Sequence, residues 1–295
     1  MLFKDECVRV CMPADLERLP SAPITALRLV ELARRSSVSV ADMEQAVGGD
    51  PATVVALLQA SGKNRAVAER CTSVRAAIER LGVPRALCVC LGFRLLVRRR
   101  PISDIDYIRY WQHAVLRSAY AGAIARHLRR TDWACIKTAA VLRNIAVLID
   151  RNADAAISHS VETSAGWLEA RNVSSVICGL VAAGQGGHAC LSDIDEATAC
   201  IVLAENMADV WLCSDWQTTI ASTQALAQHM FGAIPDLCAW VFGILGPQAV
   251  ELESLLQIRQ LGRCKIIELY KSACRLRSLN CIAATQATGV ASDND

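Results

Sequence analysis

The sequence predicts an all-α fold: two packed helical lobes followed by a C-terminal helical extension. Of the 295 residues, 53% are hydrophobic but only 5% are aromatic. This balance suits close-packed helices better than a β-sandwich, which favours aromatic and β-branched side chains. Apolar residues recur at helical spacing, and no run of useful length alternates as a half-buried strand does.

The N-terminal lobe is predicted at residues 13–100. After a loop at 13–23, an apolar stripe predicts the first helix, formed by Ile24, Leu27, Val30, Leu32 and Ala33. Later helices are predicted at N-cap residues or N-terminal prolines: Ser39 with Asp42, Asp50 with Pro51, Ser73, and Pro84. Gly82 is expected to end the helix that Ser73 begins. Pro101 after three arginines marks the end of the lobe, because proline disfavours helix in the residue before it.

The second lobe is predicted at residues 104–212. Its helices are expected at 107–128, from 131 through the apolar run 139–149, and at 159–170, 173–183 and 195–211. Gly166 is a weak point in one of them unless a neighbour packs closely on it. Residues 213–282 form the helical extension, and the small, polar residues 283–295 are expected to be a disordered tail.

The charge and the apolar runs exclude some classes of protein. A net charge of +2 gives no field that would draw the chain to nucleic acid or to a membrane. The apolar runs near 173–183 and 237–245 are shorter than the ~20 residues that a membrane span needs. No signal peptide is recognised at the N-terminus. We therefore expect a cytoplasmic protein without a membrane partner.

The cysteines do not form a metal-binding pattern. There are 14 of them, mostly single residues on apolar faces. The closely spaced pairs, Cys7 with Cys11 and Cys88 with Cys90, lack the second pair that a zinc site needs. We expect small buried hydrophobic side chains in a reducing cytosol.

The most basic run is residues 94–100, which contains four arginines. It could contact phosphates or an acidic partner, but basic residues also suit the solvated C-terminal end of a helix. No aromatic residues are interleaved for base stacking, so nucleic-acid binding is not expected. No glycine-rich phosphate loop or nucleophile elbow is present.

Several short motifs, in order and spacing, resemble the HDOD family of bacterial signalling proteins, over roughly residues 16–212. In the first lobe they are Leu19-Pro20 with Pro23, Leu29 with Leu32, Val40 with Met43, Asp50-Pro51, Leu57-Leu58, and Ser73-Val74 through Ala77-Ile78 to Leu81-Gly82. In the second they are Trp111 with His113, residues 139–148, the 159–168 region, and Ala204-Glu205 with Ala208-Asp209. The resemblance implies an all-helical regulatory module.

The chain departs from the family pattern in two places. The Asn-Ser pair usual after the Leu-Leu helix is replaced by Ala60-Ser61-Gly62-Lys63, and the usual histidine run shrinks to His188 behind three glycines. Residues 216–258 resemble the extension of HDOD proteins joined to a GGDEF cyclase domain. This sequence contains no Gly-Gly-Asp/Glu-Glu-Phe string.

Arg143 and Asn144 indicate lost catalysis. They lie in the apolar run 139–149, where the related HD-type metal phosphohydrolases carry a His-Asp pair. Arginine cannot ligate a metal cation, and asparagine offers only a neutral carbonyl oxygen. The resemblance therefore implies a retired enzyme scaffold with no catalytic residue, no metal and no cofactor.

By position, His113, His159 and His188 match the remaining histidines of the HD ligand set. Three imidazoles could hold a cation, but a catalytic site also needs carboxylates, and Asp150 lies six residues from Asn144 near the helix end. We expect a relic cleft of hydrogen-bonded polar residues. Its candidate residues, also the candidate ligand site, are His113, Arg143, Asn144, His159 and His188.

Arg143 allows three interpretations. A buried arginine needs a partner, and Asp209, Glu205 or Glu162 would make it structural. A bound anion such as a nucleotide phosphate would make it a ligand site. Surface exposure is the third alternative.

The expected function is non-catalytic regulation through a protein partner such as a cyclase, with a possible link to cyclic-di-GMP. An amphipathic C-terminal helix between Leu252 and Leu279 could dock on its own bundle or form a homodimer. The alternatives are a divergent metal-dependent phosphohydrolase acting on nucleotides and a nucleic-acid-binding regulator. The sequence names neither the signal nor the regulated process.

Overall fold

The structure is a computed structural model that describes residues 19–92, 107–149, 160–183, 194–213 and 215–231. These residues are mostly helical, and no extended strand occurs among them. The predicted all-α class is therefore confirmed. The predicted disordered tail and the helix after Leu252 lie outside the described residues, as do His159 and His188.

The first five helices follow the order predicted for the N-terminal lobe. They are α1 (Pro23–Arg34), α2 (Val40–Val47), α3 (Pro51–Gly62), α4 (Val74–Leu81) and α5 (Val83–Leu91). A short 3-10 helix, Val67–Glu69, lies in the polar segment between α3 and α4. Helix α3 packs against α4 and α5, and it is buried along most of its length.

The predicted caps are confirmed because they rest on local chemistry. The Ser39 hydroxyl accepts from the Asp42 N–H at 3.1 Å, and the Asp42 carboxylate accepts from the Ser39 N–H at 2.9 Å, which completes a capping box. The Ser73 hydroxyl accepts from the Ala76 N–H at 3.1 Å. Gly82 ends α4 with φ of 76°, a conformation that glycine adopts without strain.

Asp50 caps α3 and also ties down the chain before α1. One of its carboxylate oxygens accepts from the Ala52 N–H at 3.0 Å. The other accepts from the Ser21 hydroxyl at 2.5 Å and from the Ala22 N–H at 2.9 Å. Burial raises the pKa of this carboxyl, and the hydrogen bonds from Ser21 and Ala22 oppose the rise.

The stripe predicted for α1 is correct at Leu32, which is buried, but wrong at Leu27 and Val30. Leu27 is 67% exposed and Val30 is 42% exposed, whereas Thr25, Leu29 and Leu32 form the buried face. Apolar residues occur around this helix on more than one side. Which side faces the core depends on where α2 and α5 pack, and local periodicity does not contain that information.

The region predicted as the second lobe has the predicted helices with small shifts at their ends, except that the helix predicted from 131 through 149 is divided in two. They are α6 (Tyr107–His127), α7 (Trp133–Leu142), α8 (Ala146–Ile149), α9 (Ser160–Glu169), α10 (Ser175–Ala182) and α11 (Glu196–Leu212), followed by α12 (Trp216–Phe231). Described residues up to Ala208 belong to one compact unit and those from Asp209 to a second. The lobe boundary near residue 100 lies outside the described residues, and the domain limits stay predictions.

Helix α7 joins the two groups of helices. It packs on α6 and α10 of its own group and on α3 and α4 of the other. The Thr138 hydroxyl accepts from the Val74 N–H at 3.3 Å, and the Lys137 ammonium lies 3.5 Å from the Glu44 carboxylate. These contacts fix the position of α7, whose C-terminal end carries the candidate site.

Five of the cysteines among the described residues are buried. They are Cys71, Cys90, Cys135, Cys178 and Cys200, and no disulfide joins any cysteine in the described ranges. Burial raises the pKa of the Cys200 thiol to about 12, which keeps it protonated. The burial of these five cysteines agrees with the prediction that they serve as small hydrophobic side chains. Among the helices that the structure describes, none is long and apolar enough to cross a membrane.

Candidate functional site

Arg143 and Asn144 lie in a tight turn, which corrects the prediction that they sit inside one buried helix. Helix α7 ends at Leu142 and α8 begins at Ala146. In the turn, the Ile145 N–H donates to the Leu142 carbonyl at 3.1 Å, a bond that spans three residues instead of four. The apolar run continues through the turn, so hydrophobicity alone did not reveal the break.

Arg143 is buried and forms an ion pair with Glu205 of α11. Only 4% of the residue is exposed, and its Nε lies 2.8 Å from the Glu205 Oε2. Its Nη1 donates to the carbonyl of Ala183, just after α10, at 3.0 Å. This is the structural ion pair among the three interpretations of Arg143, and surface exposure is wrong.

A second buried arginine, Arg117 of α6, binds the same carboxylate. It is 1% exposed, and its Nη1 lies 3.3 Å from the Glu205 Oε1. Its Nε donates to the Ala140 carbonyl at 2.6 Å, and its Nη2 donates to the Val141 carbonyl at 3.5 Å. Because α7 ends at Leu142, these bonds also satisfy carbonyls in its last turn.

The sequence interpretation missed Arg117, although a usable signal existed. Arg117 follows Val115-Leu116 and precedes Ser118 in a helix whose buried positions include Ala114, Leu116 and Tyr120. A charged residue among buried positions of a helix needs a partner, which is the reasoning applied to Arg143. Its partner could not be read from the sequence, because Glu205 lies 88 positions away.

His113 and Asn144 complete the cluster at its half-buried edge. The Asn144 Nδ2 donates to the Glu205 Oε1 at 3.2 Å. The Arg117 Nη1 lies 3.3 Å from the His113 Nδ1, which accepts a hydrogen bond in the tautomer that carries its proton on Nε2. Three of the five candidate residues are therefore together: His113, Arg143 and Asn144. The positions of His159 and His188 lie outside the described residues, and their part in the site stays a prediction.

The charges within this cluster stabilise one another. Burial alone would raise the pKa of Glu205, but the positive charges of Arg117 and Arg143 outweigh that effect and hold the pKa below its ordinary value. Burial lowers the pKa of Arg143, and the Glu205 carboxylate opposes the change. Arginine stays charged in proteins, so the cluster holds two guanidinium cations around one carboxylate anion.

Among the described residues, the cluster around Glu205 does not offer the ligands of a catalytic metal. Both oxygens of Glu205 already accept hydrogen bonds from Arg117, Arg143 and Asn144. A cation at this carboxylate would face two guanidinium groups of the same charge. Within the described ranges, no group of three or more His, Cys, Asp or Glu residues is placed to hold a metal ion.

Comparisons with known proteins agree with this architecture. Two crystal structures of the MmoQ response regulator from Methylococcus capsulatus str. Bath are similar in fold. The first has a TM-score of 0.58 at 20% identity, over 74% of this chain and 95% of that chain. The second, of a fragment, has a TM-score of 0.53 at 20% identity, over 70% of this chain and 91% of that chain. At this identity the likeness concerns the fold alone.

No curated protein matches the sequence significantly. The HDOD domain model, however, matches residues 19–189, which include α1 to α10 and the Arg143-Asn144 turn. This match covers more than half of the sequence and most of the predicted motifs, but the motif at Ala204-Glu205 with Ala208-Asp209 lies beyond it. The chain belongs to the HDOD domain family.

Proposed function

We propose that this HDOD protein is a non-catalytic module of bacterial signal transduction that acts through a protein partner. The family membership supports the signalling role. The fold likeness to a protein described as a response regulator supports it further. The departure from an enzyme rests on the cluster of Arg117, Arg143 and Glu205.

The carboxylate of Glu205 is the observation that carries the proposal. In a metal hydrolase, a buried carboxylate would ligate the ion or position the attacking water. Here Arg143 and Arg117 bind one oxygen each, and Asn144 shares the second. The Arg143 guanidinium is buried and is held on its other side by the Ala183 carbonyl. To bind a cation, Glu205 would have to leave two buried arginines without their shared anion, which is costly.

Elemental analysis and a hydrolysis assay test this proposal on the full chain. Purified protein is expected to contain no stoichiometric Mn, Fe, Mg or Zn, and to leave a phosphodiester such as bis-p-nitrophenyl phosphate intact with each metal added. The matched variant carries Arg143→His with Asn144→Asp, which removes one guanidinium and supplies two potential ligands. It should take up more metal than the natural chain.

Metal-dependent turnover by the natural chain that disappears on His113→Ala would overturn the proposal. It would favour a divergent phosphohydrolase instead. Equal metal content in the natural chain and the double variant, at one ion per chain, would contradict the electrostatic argument, because it would mean that Arg143 does not exclude the ion.

The output proposed for the module is a contact with a cyclase or another signalling protein in the cytoplasm, linked to cyclic-di-GMP. The resemblance of residues 216–258 to the extension that precedes a cyclase domain supports this. Dimerisation through the helix predicted after Leu252 would place two copies of the module, and the signalling proteins bound to them, side by side. Sedimentation of the full chain and of a version that ends at Leu252 tests this step. A monomer in both cases would contradict the homodimer.

A further inference from the structure

Two loops that are distant in sequence meet on one face of the first compact unit. They are residues 63–73, between α3 and α4, and residues 170–174, between α9 and α10. These loops, together with the adjoining Arg80, Trp167 and Val176, are called the Arg70 junction. The Nη2 of Arg70 donates to the Asn172 Oδ1 at 2.9 Å, and its Nη1 donates to the Val173 carbonyl at 3.3 Å. Asn172 has φ of 61°, a left-handed conformation for which asparagine is suited.

The Arg70 junction carries cationic side chains that form no ion pair with a carboxylate of the described residues. Arg70 binds only the neutral acceptors Asn172 and Val173. Arg80 of α4 donates to the Glu69 carbonyl at 2.6 Å, which again leaves its charge uncompensated. Lys63 is exposed and makes no ion pair within the described ranges.

Two nearby arginines, in contrast, form ion pairs with carboxylates. Arg65 lies 3.4 Å from the Glu69 carboxylate, and Arg75 lies 3.1 Å from the Glu79 carboxylate. Each pair spans one helical turn or its equivalent. Arg70 and Arg80 differ from these two arginines, because they form no ion pair with a described carboxylate and are held in place by hydrogen bonds to neutral oxygen atoms of the protein. Their charge is thus presented in a fixed geometry.

Each of the two segments also exposes an apolar side chain. Val67 of the 3-10 helix is 53% exposed, and Val176 at the start of α10 is 55% exposed. Arg171 stacks on the half-buried Trp167 ring, with its guanidinium carbon 3.6 Å from the ring centroid. Tryptophan and arginine are the residue types that most often dominate binding energy at protein interfaces.

We propose that the Arg70 junction is a docking surface for an acidic segment of a partner protein. Carboxylates of the segment would lie on Lys63, Arg70 and Arg80, and its apolar side chains would contact Val67 and Val176. The inference deepens the proposed function, because a module that acts without catalysis needs a surface through which it acts.

A protein segment fits this surface better than a nucleic acid does. Arg171 already covers one face of the Trp167 ring, so a base cannot stack on that face. A peptide can space its acidic residues to avoid the exposed carboxylates of Glu69 and Glu169, whereas a phosphate backbone carries a charge on every nucleotide. The valines give apolar contact area that a phosphate backbone does not use.

Fluorescence anisotropy with a labelled peptide tests the docking surface on the full chain. The probe is a peptide of about 20 residues with glutamate and leucine at helical spacing, chosen to present acidic and apolar groups together. A second peptide carries glutamine in place of glutamate, and a third probe is a single-stranded RNA of about the same number of nucleotides. The variants are Lys63→Glu and Val67→Asp, both at exposed positions, with Arg34→Glu as an equally exposed control on α1.

The acidic peptide is expected to bind more tightly than the glutamine peptide and the RNA. Its affinity should fall about tenfold or more with Lys63→Glu, because like charges would then meet. Val67→Asp should weaken it as well, whereas Arg34→Glu should not. Absence of binding by the acidic peptide, preference for the RNA, or equal losses with Arg34→Glu would each overturn the proposal. None of these results bears on the metal test, so the two proposals can fail independently.

Discussion

The Nε of Arg143 lies 2.8 Å from the Oε2 of Glu205, which places a buried guanidinium against a half-buried carboxylate of the first unit. Arg117 holds the other oxygen of the same carboxylate from α6. The ion pairs therefore connect the end of α7, the middle of α6 and α11. A cluster that links three helices in this way should contribute to stability more than an exposed pair does.

Replacement of Arg143 by alanine should lower the free energy of unfolding by roughly 3–5 kcal/mol, because it removes one partner of a buried ion pair. The carboxylate of Glu205 would keep Arg117 but lose its shortest ion pair. Urea denaturation of the natural chain and the variant measures the difference. Arg34→Ala, an exposed change on α1, is the control and should change the stability by less than about 0.5 kcal/mol.

A loss below about 1 kcal/mol for Arg143→Ala would contradict the structural role of this ion pair. If the same variant also lost affinity for an anion such as inorganic phosphate, the anion-site interpretation of Arg143 would replace it. A loss near the expected value, without any change in phosphate binding, favours the ion pair.

Glu205 should give the protein a specific acid sensitivity. Its folded-state pKa is lowered below the ordinary value of 4.5 by Arg117 and Arg143, against the effect of burial. A carboxylate of this kind stabilises the fold above its unfolded pKa, and the stabilisation is lost as the pH falls through the folded-state pKa. Unfolding free energies measured downward from about pH 5 should therefore fall more steeply for the natural chain than for Glu205→Gln. Parallel curves would contradict the depressed pKa.

Asp50 should affect the pH dependence of stability with the opposite sign to Glu205. Burial raises its folded-state pKa above the ordinary value of 3.8, so the folded protein holds this proton more tightly than the unfolded chain does. Its contribution to stability is therefore largest below pH 3.8 and declines as the pH rises through the folded-state pKa. Asp50→Asn should remove this decline, and the difference between the two unfolding free energies as a function of pH measures it. An unchanged pH dependence would contradict the raised pKa.

Asp50→Ala tests the capping role separately from the charge. The loss of an N-cap side chain costs about 0.5–2 kcal/mol. The change would also leave the buried Ser21 hydroxyl and the Ala22 N–H without their acceptor, so the upper part of this range or more is expected. Denaturation at neutral pH gives the value, and Ser73→Ala provides the comparison at a cap without such a tether. Equal losses at the two caps would argue against the tether.

The caps and the site show which features the sequence can predict. Ser39, Asp50 and Ser73 were predicted because a cap is a contact between residues two or three positions apart. The buried face of α1 is predicted correctly at Leu32 but wrongly at Leu27 and Val30, because these two follow helical spacing as well as Leu29 does. Periodicity finds the helix, but only the packing of other helices decides which side is buried.

The site was predicted in part for the same physical reason. Arg143 and Asn144 attract notice because polar residues interrupt an apolar run. Glu205 was one of three possible partners, and the sequence could not choose among them. The second guanidinium, Arg117, depends on a contact between α6 and α11 that no local pattern encodes.

Two glycines provide a matched pair that tests the packing of the helices. A Cβ at Gly49, in the turn before α3, would lie 2.6 Å from the Val115 Cγ2 of α6, so Gly49→Ala should destabilise the protein by about 1–3 kcal/mol through overpacking.

A Cβ at Gly166, by contrast, would meet nothing within 4 Å. Because Gly166 is exposed within α9, Gly166→Ala should stabilise the protein by about 0.5–1 kcal/mol, since alanine loses less backbone entropy on folding. Thermal unfolding of both variants measures the two effects. A stabilising Gly49→Ala would contradict the close approach of the turn before α3 to α6, and a destabilising Gly166→Ala would contradict the open surface of α9.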